Sequence, residues 1–318
     1  MIYSKEFIVF LQTPINERIK NLVKLLRSLH PVNDKDIIEN ICNKELNFIK
    51  TKYPNLNTRQ NYLSQYRKEL IKIFPKKIKD NITGRLIFKH PALQIFTLTR
   101  TELSRIKKTS HLNRSRKGKN IARFDLREFI EKCRKALVSE NPYMIATGLL
   151  GLTGRRPIEI LKTAHFKQYN YKKHHIHFKG QAKTGDMKRA NRYYPIPILD
   201  TPDNIIHSLN LLRSKLDLKD IDNRVINRKF EYYLGKISKT LLENVIASNY
   251  VGLTSKSYRS MYASSCYILF NVKTKENDFE YYAKILGHSG YENHSPINYT
   301  FYKAIDDNLE KFTDLLPK

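Results

Sequence analysis

Between Arg105 and Lys119 the chain carries Arg105, Lys107, Lys108, Arg114, Arg116, Lys117 and Lys119 among Ser, Thr, Asn and one glycine, with few apolar residues. A stretch this poor in apolar side chains cannot anchor itself in a core. It therefore divides the chain, and each side must bury its own apolar pattern. A length of 318 residues suits two domains better than one. The division predicts a helical domain over 1–104, a basic linker over 105–121 that is disordered alone and orders against a polyanion, and a second domain over 122–318. A flexible linker with incidental charge is the alternative.

The first domain reads as helical. Ile15, Ile19, Leu22, Leu26 and Leu29 recur at helical spacing, with Glu17, Lys20, Lys24 and Arg27 on the other side. A second helix is predicted from about Asp34 to Lys50, on Ile37, Ile38, Ile41, Leu46 and Ile49. A third starts after the capping pair Asn57-Thr58 and runs to Phe74, with Tyr62, Leu63, Tyr66, Leu70 and Ile73 on one face and Pro75 closing it. Its Arg59, Arg67 and Lys68 could lie along a phosphate backbone or simply form a solvated face. Beyond Ile121 the pattern predicts helices over Asp125–Val138 and Met144–Leu152, with Pro157 in the first turn of the next. Strands are predicted over Tyr171–Lys179 and Arg192–Leu199, joined by the polar segment Gly180–Asn191. Mostly helical segments follow, ending in a tail helix that starts at Asp306-Asp307 with Leu309, Phe312 and Leu316 as its apolar side.

Lys and Arg outnumber Asp and Glu by 58 to 30, a formal charge of +28, and this uncompensated field favours a polyanionic partner. A merely solubilising surface is the bland alternative. No segment approaches the ~18 apolar residues needed to span a bilayer, so a membrane partner is not expected. Phe7–Leu11 is too short for a signal h-region. Cys42, Cys133 and Cys266 lie far apart without metal-ligand spacing, as expected of reduced residues in a cytoplasmic protein associated with nucleic acid. No metal is expected either: of His174, His175 and His177 only the last two share a strand face, and no acidic or cysteine partner sits beside them.

The residues that carry chemistry are spread along the second domain. They are the run Thr153-Gly154-Arg155-Arg156-Pro157-Ile158-Glu159-Ile160, the segment Gly180-Gln181-Ala182-Lys183-Thr184-Gly185, the box Lys256-Ser257-Tyr258-Arg259, the triplet Leu286-Gly287-His288, and Tyr299 eleven residues after that histidine. A pentavalent phosphate gathers negative charge on its non-bridging oxygens, which two guanidinium forks can neutralise and orient. A phenol can attack in line, a lysine on a mobile hairpin can protonate the departing 5′ oxygen, and an imidazole can steady the phosphoryl oxygens.

In that order these boxes resemble the tyrosine recombinases, and the Arg-Arg-Pro form more closely resembles the telomere resolvases, or protelomerases. The resemblance covers about Phe124 to Tyr302. It implies Arg156 and Arg259 as catalytic arginines, Glu159 as the buttress of Arg156, Lys183 as general acid with Lys179 and Lys188 as open alternatives, and His288 as phosphate ligand. Lys256 stands where most recombinases carry histidine, and Tyr299 is the nucleophile with Tyr302 competing. The implied fold is mainly α with a small β-sheet: a helical DNA-binding domain plus a tyrosine-recombinase-like mixed α/β catalytic domain. The implied activity is cutting of double-stranded DNA at an inverted-repeat site by a homodimer, without metal, ATP or other cofactor. A 3′-phosphotyrosyl bond would be resealed into hairpin ends. Arg59, Arg67 and the cations of the linker would contact DNA, in a cytoplasmic, nucleoid-associated protein of bacterial, phage or plasmid origin. Resolvases commonly continue beyond the nucleophile, whereas 19 residues follow Tyr299, so a minimal or shortened relative is expected. A conventional integrase and a basic DNA-binding protein without cleavage are the rival readings.

Overall fold

The computed structural model describes residues 14–79, 84, 86–119, 121–182, 191–246, 253–271, 276–287, 299–305 and 315–316. The chain forms two compact units, Met1–Asn113 and Arg114–Lys318.

In the first unit, α1 (Ile15–Arg27), α2 (Lys35–Lys52) and α3 (Leu56–Ile73) pack with the hairpin β1 (Lys77–Lys79) and β2 (Leu86–Phe88) and the short α4 (Pro91–Ile95). The core joins Leu22, Leu26, Ile38, Ile49, Leu63, Tyr66, Leu70 and Phe96, largely the stripe the periodicity marks. Helix α3 begins earlier than the sequence suggests. Asn55, not Asn57-Thr58, is its cap, accepting from the amides of Asn57 at 3.0 Å and Thr58 at 3.2 Å. A buried polar cluster sits inside this core. The Arg18 guanidinium lies 3.6 Å from the Phe48 ring centroid and bonds Glu45, which also accepts from the Tyr66 hydroxyl. Burial, with the Glu45 carboxylate adding to it, pushes the Tyr66 phenol well up.

Between the units the structure corrects the linker reading. Arg100–Lys119 is one helix, α5, and the division between units falls inside it. Its start was written in Thr99-x-x-Glu102. The Glu102 carboxylate accepts from the Thr99 amide at 2.9 Å and the Thr99 hydroxyl accepts from the Glu102 amide at 3.2 Å, a reciprocal cap. Arg, Lys and Leu are strong helix formers, so such a stretch can be helical without an apolar face of its own.

The second unit is built on α7 (Pro142–Thr153), whose residues from Ile145 to Thr153 are all buried. Against it lie α6 (Leu126–Leu137, capped by Asp125), α8 (Pro202–Lys215), α9 (Asn223–Leu241), α10 (Ser255–Phe270) and α11 (Asp278–Leu286). The sheet is three-stranded and antiparallel, β4 (His165–Gln168), β5 (His175–Lys179) and β6 (Tyr194–Pro197), so β4 joins the two predicted strands. Both of those are shorter than predicted. A further pair escaped the sequence: β3 (Ala122–Asp125) runs parallel to β7 (Tyr302–Ile305). Of the expected tail helix, Asp306, Asp307, Leu309 and Phe312 lie outside the described residues. Among the described residues no helix is long and apolar enough to cross a membrane.

Candidate active site

The site grows from the end of α7. Gly154 closes that helix in the left-handed region, φ 62°, and a Cβ there would run into the Tyr262 ring, so only glycine makes this turn. The turn sends the next two arginines different ways. Arg155 is fully buried: Nε donates to the Thr153 carbonyl at 3.1 Å, Nη2 to that of Ile285 at 2.7 Å, and Nη1 to the Tyr194 hydroxyl at 3.2 Å. It ties α7, α11 and β6 together and serves structure.

Arg156 retains 17% side-chain exposure. Its Nη1 donates to Glu159 Oε1 and to the Ala182 carbonyl, both at 2.8 Å, and its backbone amide donates to Glu159 Oε2 at 2.8 Å. Nε and Nη2 have no partner among the described residues. Glu159 is fully buried and also accepts from the Ala182 amide at 2.9 Å. Burial alone would raise its carboxyl, but Arg259, Arg155, Arg156 and the Arg156 amide outweigh it and hold the group below the usual carboxylate range. Glu159 opens a π-helical turn, Glu159–Thr163, in which the Ala164 amide reaches back to the Glu159 carbonyl at 2.7 Å.

Arg259 comes from α10, is 2% exposed, and spends its fork on three elements. Nη1 donates to the Gly154 carbonyl, Nη2 to the Leu286 carbonyl at 2.7 Å, and Nε to the Tyr299 hydroxyl at 3.3 Å. The Tyr299 ring lies 5.5 Å from the guanidinium carbon. Two arginines, the buttressing carboxylate and the phenol thus converge from three separated stretches. The competing Tyr302 does not join them: it is buried on β7 and its hydroxyl donates to Ser257 at 2.9 Å. Lys256, one turn before Arg259, is exposed.

Lys183, Lys188 and His288 lie outside the described residues. Their neighbours are described and joined. Buried Gln181 donates to the Gly287 carbonyl at 2.6 Å and accepts from the Tyr194 hydroxyl at 2.5 Å. Gly287 is left-handed at φ 72°, and a Cβ there would press on Gln181. This clasp between the residues just after β5 and the end of α11 was missed in the sequence, because a glutamine announces no partner. Lys179 points its amine at the Tyr193 ring, 5.7 Å from the centroid.

Two expected DNA contacts are used within the first unit. Arg59 pairs with Glu102 at 2.7 Å, and half-buried Arg67 donates to the Leu93 carbonyl. Both sit where their own helix packs, so the fold claims them first. Arg105, Lys107 and Lys108 are exposed on α5. Nothing is described of the side chains of Arg114, Arg116, Lys117 and Lys119.

The second unit has a tyrosine-recombinase-like fold, shared by its solved neighbours. Residues 120–302 match the telomere resolvase ResT/TelK catalytic domain, more than half of the chain, and the protein belongs to that family. Telomere resolvase ResT of Borreliella burgdorferi is 24% identical over 210 residues, covering 65% of this chain and 44% of the relative, so the chain spans under half of that protein's length. Protelomerase TelA covalently complexed with substrate DNA superposes with a TM-score of 0.73 at 22% identity, covering 95% of this chain and 91% of that one. An arginine-to-alanine variant of TelA complexed with DNA hairpin product gives 0.75 at 21% identity, covering 97% and 95%.

Proposed function

We propose that this protein is a telomere resolvase that converts an inverted-repeat site in double-stranded DNA into two covalently closed hairpin ends. Tyr299 attacks the scissile phosphorus in line. A phosphotyrosyl bond forms to the 3′ side as the phenol gives up its proton to water, the bond to the 5′ oxygen breaks, and Lys183 donates the proton that oxygen takes up. Arg156, held by Glu159 and Ala182, and Arg259, which holds the phenol, neutralise the charge gathering on the phosphoryl oxygens, with His288 and Lys256 as further phosphate contacts. The free 5′ hydroxyl of the opposite strand then attacks the phosphotyrosine and releases the tyrosine. The phosphoester energy is kept in the intermediate, so the cycle asks for no metal or ATP. Two copies related by a twofold axis would each cut one strand of the symmetric site. Arg105, Lys107 and Lys108, with Arg114, Arg116, Lys117 and Lys119 further along α5, supply phosphate contacts, as befits a cytoplasmic, nucleoid-associated protein. Arg59 and Arg67 are left out of that set, since the first unit uses them.

The observation that carries this reading is the hydrogen bond from Arg259 Nε to the Tyr299 hydroxyl at 3.3 Å, in a chain whose family is that of the resolvases. Relatives captured with substrate DNA and with hairpin product support it. The test is incubation with a palindromic duplex, followed by a denaturing gel after protease treatment. Products of doubled single-strand length that snap back on cooling are expected. Recombinant joints between duplexes would replace the resolvase by a strand-exchange enzyme, and unchanged substrate across many palindromes would remove the activity.

A further inference from the structure

The sheet β4–β5–β6 has one face in the core, where Ile176, Phe178 and Ile196 are wholly buried. Its other face is unlike an ordinary solvated one. Register pairs His165 with Lys179 and Lys167 with His177 across β4–β5, and His177 with Pro195 across β5–β6. Since paired residues share a face, cations, imidazoles and rings collect on this side. Tyr169 lies 4.6 Å from His177 and 5.6 Å from Tyr171, and Tyr193 lies 6.3 Å from His177, ring centre to ring centre. The Lys167 amine stands 4.8 Å and the Lys179 amine 5.7 Å from the Tyr193 centroid. Tyr171 is 89% exposed. From His165 to Lys179 and from Asn191 to Pro197 there is no acidic residue.

We propose that this face is a platform for single-stranded DNA, on which unpaired bases stack against Tyr169, Tyr171 and Tyr193 while Lys167, Lys172, Lys173 and Lys179 follow the phosphates. The inference rests on the reading of the neighbouring site as one that opens DNA. Charge selects a polyanion, because eight strand and turn positions from His165 to Lys179 carry Lys or His and that stretch holds no acidic residue. The rings select an unpaired strand, because every base has a π-face that a duplex hides. Cross-strand ring pairs alone would stabilise the sheet, but they do not account for a tyrosine left almost bare at the turn or for the absence of acids. Position agrees. Strand β5 ends at Lys179, three residues before Ala182, whose carbonyl holds Arg156, so the five residues from His177 to Ala182 span at most about 18 Å. Bases unpaired by cleavage would therefore lie within reach. Held there, they would be kept from re-pairing while the 5′ end crosses to the other strand.

The test uses the full chain and a fluorescein-labelled 20-mer of dT, with a random-sequence duplex of equal length for comparison, both read by anisotropy. Tyr171→Ala, whose ring touches little of the fold, is expected to weaken dT binding by roughly 5- to 150-fold, the range for one lost base stack. Tyr171→Phe is expected to restore it, and duplex binding should change less than twofold. Lys167→Ala should weaken dT binding and flatten its salt dependence. On a palindromic duplex, Tyr171→Ala should form the Tyr299 adduct at the normal rate but close fewer hairpins. The platform is overturned if dT binding is unchanged by Tyr171→Ala, if dT does not bind the unmodified protein, or if dT and duplex binding fall together. A protein partner or second copy on this face would give the first of these results. Failure to form any adduct with the unmodified protein would instead remove the cleavage reading, while the dT affinities stay readable.

Discussion

Replacing Glu159 by glutamine keeps the shape of the side chain and removes its charge. In the native protein the carboxylate is fully buried and accepts three hydrogen bonds, from the Arg156 amide, Arg156 Nη1 and the Ala182 amide. A glutamine oxygen can accept at most two of them, and its NH2 must then face the third donor. Three guanidiniums, Arg259, Arg155 and Arg156, also lose the nearby negative charge that offsets them. Removing one partner of a buried ion pair costs about 3–5 kcal/mol. For a unit the size of Arg114–Lys318, each kcal/mol lowers Tm by about 2–4 °C, so Glu159→Gln should melt roughly 6–20 °C lower at pH 7. The pH dependence has a definite sign. Folding depresses this carboxyl pKa, so its stabilisation is complete above the unfolded value of about 4.3 and fades as pH falls through the lower folded value. The gap between the native protein and the variant, followed by circular dichroism melts, should therefore be wide at pH 7 and narrow below pH 4. A loss of less than 2 °C at neutral pH, or a gap that does not shrink with acid, would refute the charge argument.

Tyr302→Phe removes the bond to Ser257 at 2.9 Å and should cost about 1 kcal/mol while cleavage persists; loss of all cleavage with an intact fold would move the nucleophile to Tyr302. Arg259→Lys keeps a charge but not the fork that reaches Gly154, Leu286 and Tyr299. It should lower single-turnover cleavage by about 100-fold or more with duplex affinity within a few-fold. A near-normal rate in that variant would take Arg259 out of the chemistry.

Legibility in the sequence followed the range of the interaction. Helices α1, α2, α3 and α6 were readable because their apolar stripes are local, and α7 because its run is apolar almost throughout; Asp125 and Pro142 sit where caps and first turns want them. The pairing of β3 with β7 was not readable: the two strands lie at opposite ends of the second unit's sequence, and neither is long enough to announce itself. Helix α5 was misread because its lack of apolar residues outweighed a capping pair in plain view, Thr99 and Glu102. At the site, Arg156, Arg259 and Tyr299 were legible as motif members. The resemblance singled out Arg156 but left the place of Arg155 unwritten, because that follows from the left-handed turn at Gly154 and from where Ile285 and Tyr194 happen to lie. The Gln181–Gly287 clasp and the Arg18–Glu45–Tyr66 cluster are likewise products of tertiary packing.

The central claim is that the Tyr299 hydroxyl is the atom that becomes bonded to DNA. It is tested by trapping the protein on a nicked duplex whose cleaved end diffuses away, digesting the adduct and sequencing the nucleotide-bearing peptide by mass spectrometry. The account predicts one modified residue, Tyr299, with the adduct absent in Tyr299→Phe and retained in Tyr302→Phe. A nucleotide on any other side chain, or an undiminished adduct in Tyr299→Phe, would contradict it.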